Sequence, residues 1–462
     1  MAIKKVFATK DTTITDAYRN NGTRATNANM GAADSLEIFS VYGYANPTSV
    51  ERSRILVQFD VTSLNILRNQ SKIPASGSTK FYLNMYNVAH STTVPTDFTI
   101  SIDPISSSWD EGYGFDMESY GDKGGISQFG TTWDDKDSSF SWNTTGSDIV
   151  SGYNYTASFT TGLEDISVDI TSLVENWMTG SLPNYGLLLK LSGSFEDGTT
   201  TNSFYTKKFS ARTSEFFYKR PSIVAVWDDS IKDNRNEFFY SASYLSTENI
   251  QNLYYYNITN GSLKDLPALP TVIISDSSSS LVTGSATISK QATGIYKGSF
   301  ALSGGQTTDT TLNDKWYYSG SLVRSQTFNV KERSGEELPT DYLLSITNLK
   351  NIYKQGEVQN IKIYSRPKNW SPNIYTVSVS KPESKSIKNL HFKLVRTDDN
   401  QPIIDYATGS VQYTLTSYNG DGNNFTFDFS YLQADYSYYF QFATYDGTEL
   451  KEYPQKFKFR VE

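Results

Sequence analysis

The stretch that decides the fold reads GLEDISVDITSLVENW at residues 162–177 and is followed by NYGLLLK at 184–190. Ile166, Val168 and Ile170 alternate with polar residues, as they do on a strand with one buried face. The Asn-Tyr-Gly sequence predicts a turn into a second strand, on which leucines alternate. A strand, a helical turn and a strand in this order build the core of a β-sandwich, and they carry no chemistry of their own.

The helical turn between these strands is expected to begin at Thr171, whose hydroxyl can cap it. Leu173, Val174 and Trp177 fall on one side of such a turn. We therefore expect Trp177 to fill the sandwich core. Glu175 is expected to point outward and to tolerate replacement by alanine.

The composition of the whole chain favours an all-β protein. Its 462 residues include 33 Tyr and 26 Phe, and only 19% of them are charged. Aromatic and β-branched residues fit pleated sheets, and the abundant Ser, Asn, Asp and Gly supply turns. Few stretches show the 3.6-residue apolar period of a helix.

Charge and cysteine content narrow the range of partners. The net charge of −8 argues against duplex DNA and anionic membranes as main partners, since both attract clustered Lys and Arg. The chain has no cysteine, which excludes disulfides and thiolate metal sites. Its first residues show no apolar signal-peptide core, and no run of about 18 apolar residues occurs. We expect a soluble protein that is made in a cytoplasm, with no nucleic acid and no membrane as partner.

The pattern of strands divides the chain into three segments, 1–229, 235–335 and 341–462. Polar sequences at 228–234 and 333–339 separate them, and we expect proteases to cut at both. In the last segment, Asn419-Gly420-Asp421-Gly422 predicts a hairpin turn. Residues 432–442 resemble the tyrosine corner of immunoglobulin-like sandwiches, in which a Tyr hydroxyl binds nearby backbone.

Several stretches of the first segment occur in the order of a known family. They are DTTI at 11–14, RILVQFDVTSL at 54–64, WDE at 109–111, VDITSLVENW at 168–177, NYG at 184–186 and FSAR at 209–212, before Arg220-Pro221. The segment resembles the DNRLRE domain, a jelly-roll relative of carbohydrate-binding modules. The chain departs from the family pattern between Gly112 and Tyr155, where it is longer. The resemblance implies an N-terminal jelly-roll β-sandwich, followed here by two immunoglobulin-like β-sandwiches.

A second resemblance is one of style and domain order. The cysteine-free, Ser/Thr/Asn/Tyr-rich composition, the IPASGS run at 73–78 and the WDEG group at 109–112 resemble virion structural proteins of tailed bacteriophages. Immunoglobulin-like modules at the C-terminal end suit that interpretation.

Candidate catalytic residues are few. Asp110 and Glu111 are adjacent, but neighbours on a strand point to opposite faces, whereas a glycoside hydrolase needs two carboxyl groups about 5–9 Å apart around one bond. A turn or an ion pair is the favoured role for them. His90 and His391 are the two histidines of the chain. They fall in different segments, which argues against a histidine-based triad or metal site.

Residues 107–160 form a long polar insertion, and insertions of this length are usually functional or lie at an interface. Asp134, Asp135 and Asp137 offer oxygen ligands for Ca²⁺ but lack the spacing of an EF-hand, so a solvated acidic loop is favoured and no cofactor is expected. The aromatic residues of the insertion predict either a platform for sugar rings or a partner, or ordinary core packing. They are Trp109, Tyr113, Trp133 and Trp142.

The leading functional hypothesis is a non-enzymatic structural component of a tailed-phage virion, at its neck, tail or capsid surface. Such a protein would be made in the host bacterial cytoplasm and would assemble in several copies with other virion proteins. The alternative is an array of carbohydrate-binding modules that attaches to host surface glycans. The two hypotheses differ at residues 107–160, where a glycan binder needs exposed rings and an assembly protein buries them against a neighbour.

Overall fold

A computed structural model describes residues 2–89, 94–120, 130–242, 249–276, 281–283, 286–302, 310–332, 341–370, 374 and 384–462. This part of the chain is all-β and forms two compact units. The first unit contains Ile3–Gln70 and Ala75–Val226. The second unit contains Met1–Ala2, Ser71–Pro74 and Trp227–Glu462.

Up to residue 227, the described residues form ten strands and three short α-helices. The strands are β1 (Ile3–Thr15), β2 (Ser35–Tyr42), β3 (Val50–Phe59), β4 (Thr79–Met85), β5 (Phe98–Pro104), β6 (Tyr155–Phe159), β7 (Ile166–Asp169), β8 (Leu187–Leu191), β9 (Phe204–Ser210) and β10 (Ser222–Trp227). The helices are α1 (Thr62–Asn69), α2 (Thr171–Thr179) and α3 (Ser194–Asp197).

The strand β1 belongs to two sheets, since residues 3–7 pair with β10 and residues 8–15 pair with β3. One sheet has the order β6-β5-β8-β3-β1 and the other has the order β1-β10-β4-β7, while β2 pairs with both β3 and β9. The pairing register shifts between Ala8 and Lys10, and such a bulge bends a strand from one sheet into the next. These strands form a β-sandwich of the jelly-roll type.

Strand β3 is covered on both faces. Ile55, Leu56 and Val57 are all fully buried, and so are Leu187, Leu188 and Leu189 of the paired strand β8. A strand with one exposed face alternates apolar and polar residues, whereas a strand covered on both faces is apolar throughout. Part of the second cover comes from residues 107–160.

Helix α2 is longer than the predicted single turn, and Thr171 does not cap it. The carboxylate Oδ1 of Asp169 accepts hydrogen bonds from the N–H (2.9 Å) and the hydroxyl of Thr171. The Thr171 hydroxyl oxygen in turn accepts a hydrogen bond from the N–H of Phe81 in β4 (3.0 Å). The predicted apolar face is confirmed, because its side chains are buried: Leu173, Val174 and Trp177.

Glu175 does not point into solvent as the sequence predicts. Its carboxylate accepts two hydrogen bonds from the guanidinium of Arg68, and only 13% of its side chain is exposed. Arg68 belongs to α1, a helix that the sequence analysis missed and that buries Leu64. The ion pair ties α1 to α2. The expected tolerance of alanine at position 175 assumed an outward-pointing side chain, and that assumption is wrong.

Residues 238–331 form an immunoglobulin-like sandwich. Its described strands are β11 (Phe238–Phe239), β12 (Gln251–Tyr256), β13 (Ile258–Thr259), β14 (Ser262–Leu263), β15 (Thr271–Ser275), β16 (Leu281–Thr283), β17 (Thr287–Ala292), β18 (Ile295–Phe300), β19 (Thr310–Tyr318) and β20 (Ser321–Lys331). The orders β11-β20-β19-β15-β16 and β12-β18-β17 correspond to the G-F-C and B-E-D strands of such domains. Both sheets contribute to one core, which includes Leu253, Tyr296, Trp316 and Phe328.

Residues 342–461 form a second sandwich of this kind. Its described strands are β21 (Tyr342–Ile346), β22 (Ile352–Tyr353), β23 (Val358–Pro367), β24 (Leu390–Arg396), β25 (Pro402–Ile404), β26 (Ser417–Asn419), β27 (Gly422–Asp428), β28 (Ser437–Tyr445), β29 (Leu450–Glu452) and β30 (Phe457–Val461). The order β21-β23-β27-β26 corresponds to the A-B-E-D sheet, and β30-β28-β24 corresponds to G-F-C.

The predicted tyrosine corner and hairpin turn are both present in this sandwich. Tyr438, in β28, is fully buried and donates its hydroxyl to the carbonyl of Gln433 at 2.9 Å. Asn419 pairs with Gly422 across the β26–β27 turn. Gly422 has a φ of 110°, a conformation that favours glycine.

The polar stretch 228–234 is not a free linker. The N–H of Tyr418 donates to the carbonyl of Ile231 (2.9 Å), and the N–H of Asp233 donates to the carbonyl of Tyr418 (3.0 Å). Lys232 therefore pairs in parallel with β26, and Asp233 is buried. This corrects the expectation of a protease-sensitive linker there. The other predicted boundary, 333–339, lies outside the described residues.

No helix in the described residues is long and apolar enough to cross a membrane.

Candidate functional site

The described residues of the insertion, 107–120 and 130–160, include side chains that pack on the outer face of the sheet that contains β3 and β8. Trp109, Trp133 and Trp142 lie together there, each between 2% and 5% exposed. They pack in one buried cluster with three residues of the sheet: Ile14, Leu56 and Leu188. The cluster explains why the apolar runs of β3 and β8 are continuous rather than alternating.

Polar contacts fix the orientation of these three rings. The indole N–H groups of Trp109 and Trp142 donate to main-chain carbonyls at 2.8 and 3.1 Å. The guanidinium of Arg54 lies 4.6 Å from the ring centroid of Trp133, a favourable contact of a cation with an aromatic face. Arg54 also forms an ion pair of 2.5 Å with Glu196. The rings are therefore part of the framework of this face.

A ring at this depth cannot stack on a sugar or on a partner protein. The prediction of a platform is therefore corrected for Trp109, Trp133 and Trp142, which pack in the core. Tyr113 differs from them, since it is 56% exposed. The structure thus brings three of the four predicted residues together, but in the interior, and leaves Tyr113 at the surface.

Three of the motif stretches that carry the family resemblance meet in one polar cluster. Glu111 accepts hydrogen bonds from the guanidinium of Arg212 and from the N–H of Asp11, the latter at 2.8 Å. The carboxylate Oδ2 of Asp11 accepts a hydrogen bond from the N–H of Arg212 at 2.6 Å. Glu111 is therefore in an ion pair, as the sequence predicts, and the cluster ties β1 to the segments that follow β5 and β9.

Asp11 is only 1% exposed, and its Oδ1 has no hydrogen-bond partner. Burial raises the pKa of Asp11 from 3.8 to about 7 because it disfavours the charged form. The N–H of Arg212 opposes this shift, whereas the charge of Glu111 adds to it. Asp11 therefore gains or loses its proton near neutral pH while it is buried in the folded protein.

Asp110 does not join Glu111 in a catalytic pair. Its side chain is exposed, while its main-chain groups bond to those of Lys136 and Thr131. Glu111 is instead turned towards Arg212 and half-buried. The carboxyl group of Asp110 therefore faces solvent and that of Glu111 faces Arg212. This agrees with the expectation that the two neighbours point to different sides.

His391 is fully buried on β24, where its Nδ1 lies 3.2 Å from the hydroxyl of Thr414. Burial lowers the pKa of His391 from 6.5 to about 4, so the ring is neutral at pH 7. His90, the other histidine, lies outside the described residues.

The three aspartates considered for Ca²⁺ lie in a loop that uses them for its own hydrogen bonds. Asp135 accepts the hydroxyl of Ser141 at 2.6 Å, and Asp137 accepts the N–H groups of the second and third residues after it. The carbonyl of Asp134 accepts the N–H of Trp142. Within the described parts of the chain, no three His, Cys, Asp or Glu side chains are grouped to hold a metal ion.

An open groove of about 650 Å³ lies on the first unit, between residues 30–39 and residues 115–117. Phe115 is the most prominent side chain in its wall, since 58% of it is exposed. Other apolar lining residues are Met30, Phe39 and Met117. Acidic lining residues are Asp34, Glu37 and Asp116. The groove therefore combines an exposed aromatic ring, two methionines and carboxylates, which suits the binding of a protein surface or a sugar.

Asn29 holds one wall of this groove in place. Its fully buried amide group donates to the carbonyls of Glu111 and Thr131, both at 2.8 Å, and accepts the N–H of Gly114 at 2.9 Å. A Cβ atom at Gly114 would lie 2.2 Å from the carbonyl oxygen of Asn29, so this close approach requires glycine. The position of Phe115, the next residue, is thereby fixed.

The sequence analysis missed Phe115, Met117 and the groove. The signal that could have pointed to them is GYGFDM at 112–117, where two aromatic residues and a methionine stand in an otherwise polar stretch. It lies inside the region that departs from the family pattern, so the resemblance could not supply it.

No protein-family model and no curated protein sequence matches the chain. Among solved structures, the N-terminal Ig1-2 module of the Drosophila receptor protein tyrosine phosphatase DLAR is 11% identical, with a TM-score of 0.15. That match covers 46% of this chain and 90% of that one. Domains A168-A170 of titin are 12% identical with a TM-score of 0.16, over 50% of this chain and 64% of that one. Superpositions this poor transfer neither fold nor function.

Proposed function

We propose that the chain is a non-enzymatic structural component of a tailed-phage virion and acts through protein–protein assembly. Its first unit would be a jelly roll of the DNRLRE type, and it would work in several copies with other virion proteins. The observation that carries the proposal is the groove beside residues 115–117, where aromatic and methionine side chains stand at the surface instead of in the core.

Such a groove suits contact with a protein. Aromatic residues and methionine are enriched in protein interfaces, and a few of them supply most of the binding energy. Phe115 is exposed yet held by a fixed backbone, because Asn29 anchors the neighbouring Gly114. A pre-positioned ring loses little conformational freedom when a partner covers it.

A second candidate function, attachment to host glycans, is favoured by the carboxylates near the same ring. Sugar sites combine an aromatic face with hydrogen-bond acceptors, and Asp34 and Asp116 supply acceptors beside Phe115. Tyr113, two residues earlier, adds a second exposed ring. The two functions use the same surface and therefore need an experiment that separates them.

The experiment compares particle incorporation with glycan binding for the same full-length variants. Phe115→Asp should reduce the number of copies found in purified particles by at least about tenfold, as expected when an interface anchor is lost. Phe140→Asp is the matched control, because Phe140 is 65% exposed in the same insertion but does not line the groove. Copy number is measured by quantitative mass spectrometry of particles.

Incorporation that is equal for both variants and the wild type contradicts the assembly proposal. If Phe115→Asp leaves incorporation intact and abolishes binding to a glycan array, the attachment function takes its place.

A further inference from the structure

Lys207 of β9 is buried in the first unit, with only 1% of its surface exposed. Its Nζ donates to the side-chain oxygen Oδ1 of Asn87 at 2.5 Å and to the carbonyls of Gly162 and Glu164 at 2.8 and 2.9 Å. All three acceptors are neutral groups. Lysine is rarely buried in this way, and here the charges of Asp165 and Glu164 act on it without accepting its hydrogen bonds at these three positions.

Aromatic rings surround the amine. Its Nζ lies 5.0 Å from the ring centroid of Phe159 and 5.1 Å from that of Phe209. Phe98 stacks on Phe159 at 4.8 Å. Burial lowers the pKa of Lys207 from 10.5 to about 8, although the charges of Asp165 and Glu164 oppose this shift, so part of the amine is neutral near physiological pH. A neutral, desolvated lysine amine is a nucleophile.

The carboxamide of Asn87 lies within reach of this amine. Because a carbonyl bond is about 1.2 Å long, the 2.5 Å contact with Oδ1 places Nζ within about 3.7 Å of Cγ. Reacting atoms in productive arrangements lie about 3–3.5 Å apart. The three donated hydrogen bonds belong to the protonated amine. Loss of one proton, which gives up one of these bonds and frees the lone pair, and a small shift of Nζ out of the carboxamide plane separate this geometry from one suited to attack.

Both sides of the pair are held in place. The N–H of Asn87 donates to the carboxylate of Asp165 at 2.7 Å. On the other side, Gly162 has a φ of 79°, and a Cβ atom there would lie 2.0 Å from the carbonyl oxygen of Pro95. Glycine thus permits the loop to place its carbonyl against Lys207. The main chain on both sides of the contact is therefore held by the fold.

We propose that Lys207 and Asn87 react with each other to form an intramolecular isopeptide bond between β9 and the chain after β4. The neutral Nζ attacks Cγ, so an Nζ–Cγ bond forms and the Cγ–Nδ2 bond breaks. One proton passes from Nζ to Nδ2, which leaves as ammonia. The reaction consumes no oxidant, reductant or other reactant. Asp165 holds the main chain of Asn87, and its charge favours the protonated form of Lys207.

This cross-link is independent of the proposed assembly function. It joins positions 120 residues apart in the sequence, so it closes a long loop within the jelly roll. A covalent tie of that length restricts the unfolded chain strongly. It would make the first unit resistant to pulling forces and to heat.

The test is the intact mass of the purified full-length chain after denaturation. We expect a mass lower than the sequence mass by one ammonia molecule, and a branched tryptic peptide that joins Asn87 to an uncleaved Lys207. Lys207→Met and Asn87→Leu should each restore the full mass. Lys208→Met is the control, since Lys208 pairs with Glu37 and should leave the mass deficit unchanged.

A wild-type chain with its full mass, even after incubation of the folded protein at about pH 9, and with normal tryptic cleavage after Lys207, overturns the proposal.

Discussion

Trp177 shows how one side chain fixes the jelly roll. It is 6% exposed, and its indole nitrogen has no hydrogen-bond partner, so its contribution comes from apolar packing. We expect Trp177→Ala to lower the free energy of unfolding by about 3–5 kcal/mol. Trp370 is 40% exposed, and its replacement by alanine should cost no more than about 0.5 kcal/mol. Urea unfolding followed by circular dichroism measures both, and small, equal effects would remove Trp177 from the core.

Replacement of Glu175 by alanine should destabilise the protein, contrary to the tolerance expected from the sequence. Its alanine variant should lose about 1–3 kcal/mol, because Arg68 is left half-buried without its charge-assisted hydrogen bonds. Arg68→Ala should cost a similar amount, and the double variant should cost less than the sum of the two. Additive losses in the same urea experiment would show that the two side chains are not coupled.

Asp11 makes the stability of the first unit depend on pH. Its pKa in the folded protein, about 7, is higher than the ordinary 3.8, so its stabilising contribution is complete below about pH 3.8 and is lost as the pH rises through 7. Asparagine keeps an acceptor for the N–H of Arg212 without the charge. We therefore expect Asp11→Asn to be more stable than the wild type at about pH 8, and to lose this advantage at about pH 4. A stability difference that is constant between these pH values would contradict the buried ionisation.

At the scale of elements, the alternation of Ile166, Val168 and Ile170 was sufficient to predict β7. It did not predict that β3 and β8 are covered on both faces, although the runs ILV at 55–57 and LLL at 187–189 carried that information. Helix α2 begins at Thr171 as predicted, but the Thr171 hydroxyl does not cap it. The hydroxyl instead accepts a hydrogen bond from the N–H of Phe81, a partner 90 residues away in sequence.

The stretch 228–234 shows why polar composition alone does not define a linker. A linker and an edge strand are equally polar, and the pairing partner of this stretch lies far away in sequence, at residues 417–418. Because its backbone is hydrogen-bonded, we expect limited trypsin digestion to leave Lys232 and Arg235 uncut while cleavage begins after Arg333, in the other predicted boundary. N-terminal sequencing of the first fragments measures this, and early cleavage after Lys232 would show that the pairing is absent in solution.

At the scale of the whole molecule, composition predicted the all-β class, and the tyrosine corner predicted an immunoglobulin-like domain. The site was less accessible to sequence analysis. Residue types identified the aromatic side chains of the insertion, but not which of them the sheet buries, because Trp133 and Phe115 look alike in an unaligned sequence. How deeply each ring is buried depends on partners far away in sequence, such as Arg54 beside Trp133 and Asn29 beside the residue before Phe115.

The central claim is that the groove beside Phe115 is covered by another protein subunit in the assembled particle. The most direct measurement is a cryo-EM map of intact particles that contain this chain. The proposal predicts protein density packed against Phe115, Met117 and Met30, with the carboxylates at the edge of the contact. A map in which this groove is open to solvent in every copy of the chain, or is filled by a glycan, would contradict it.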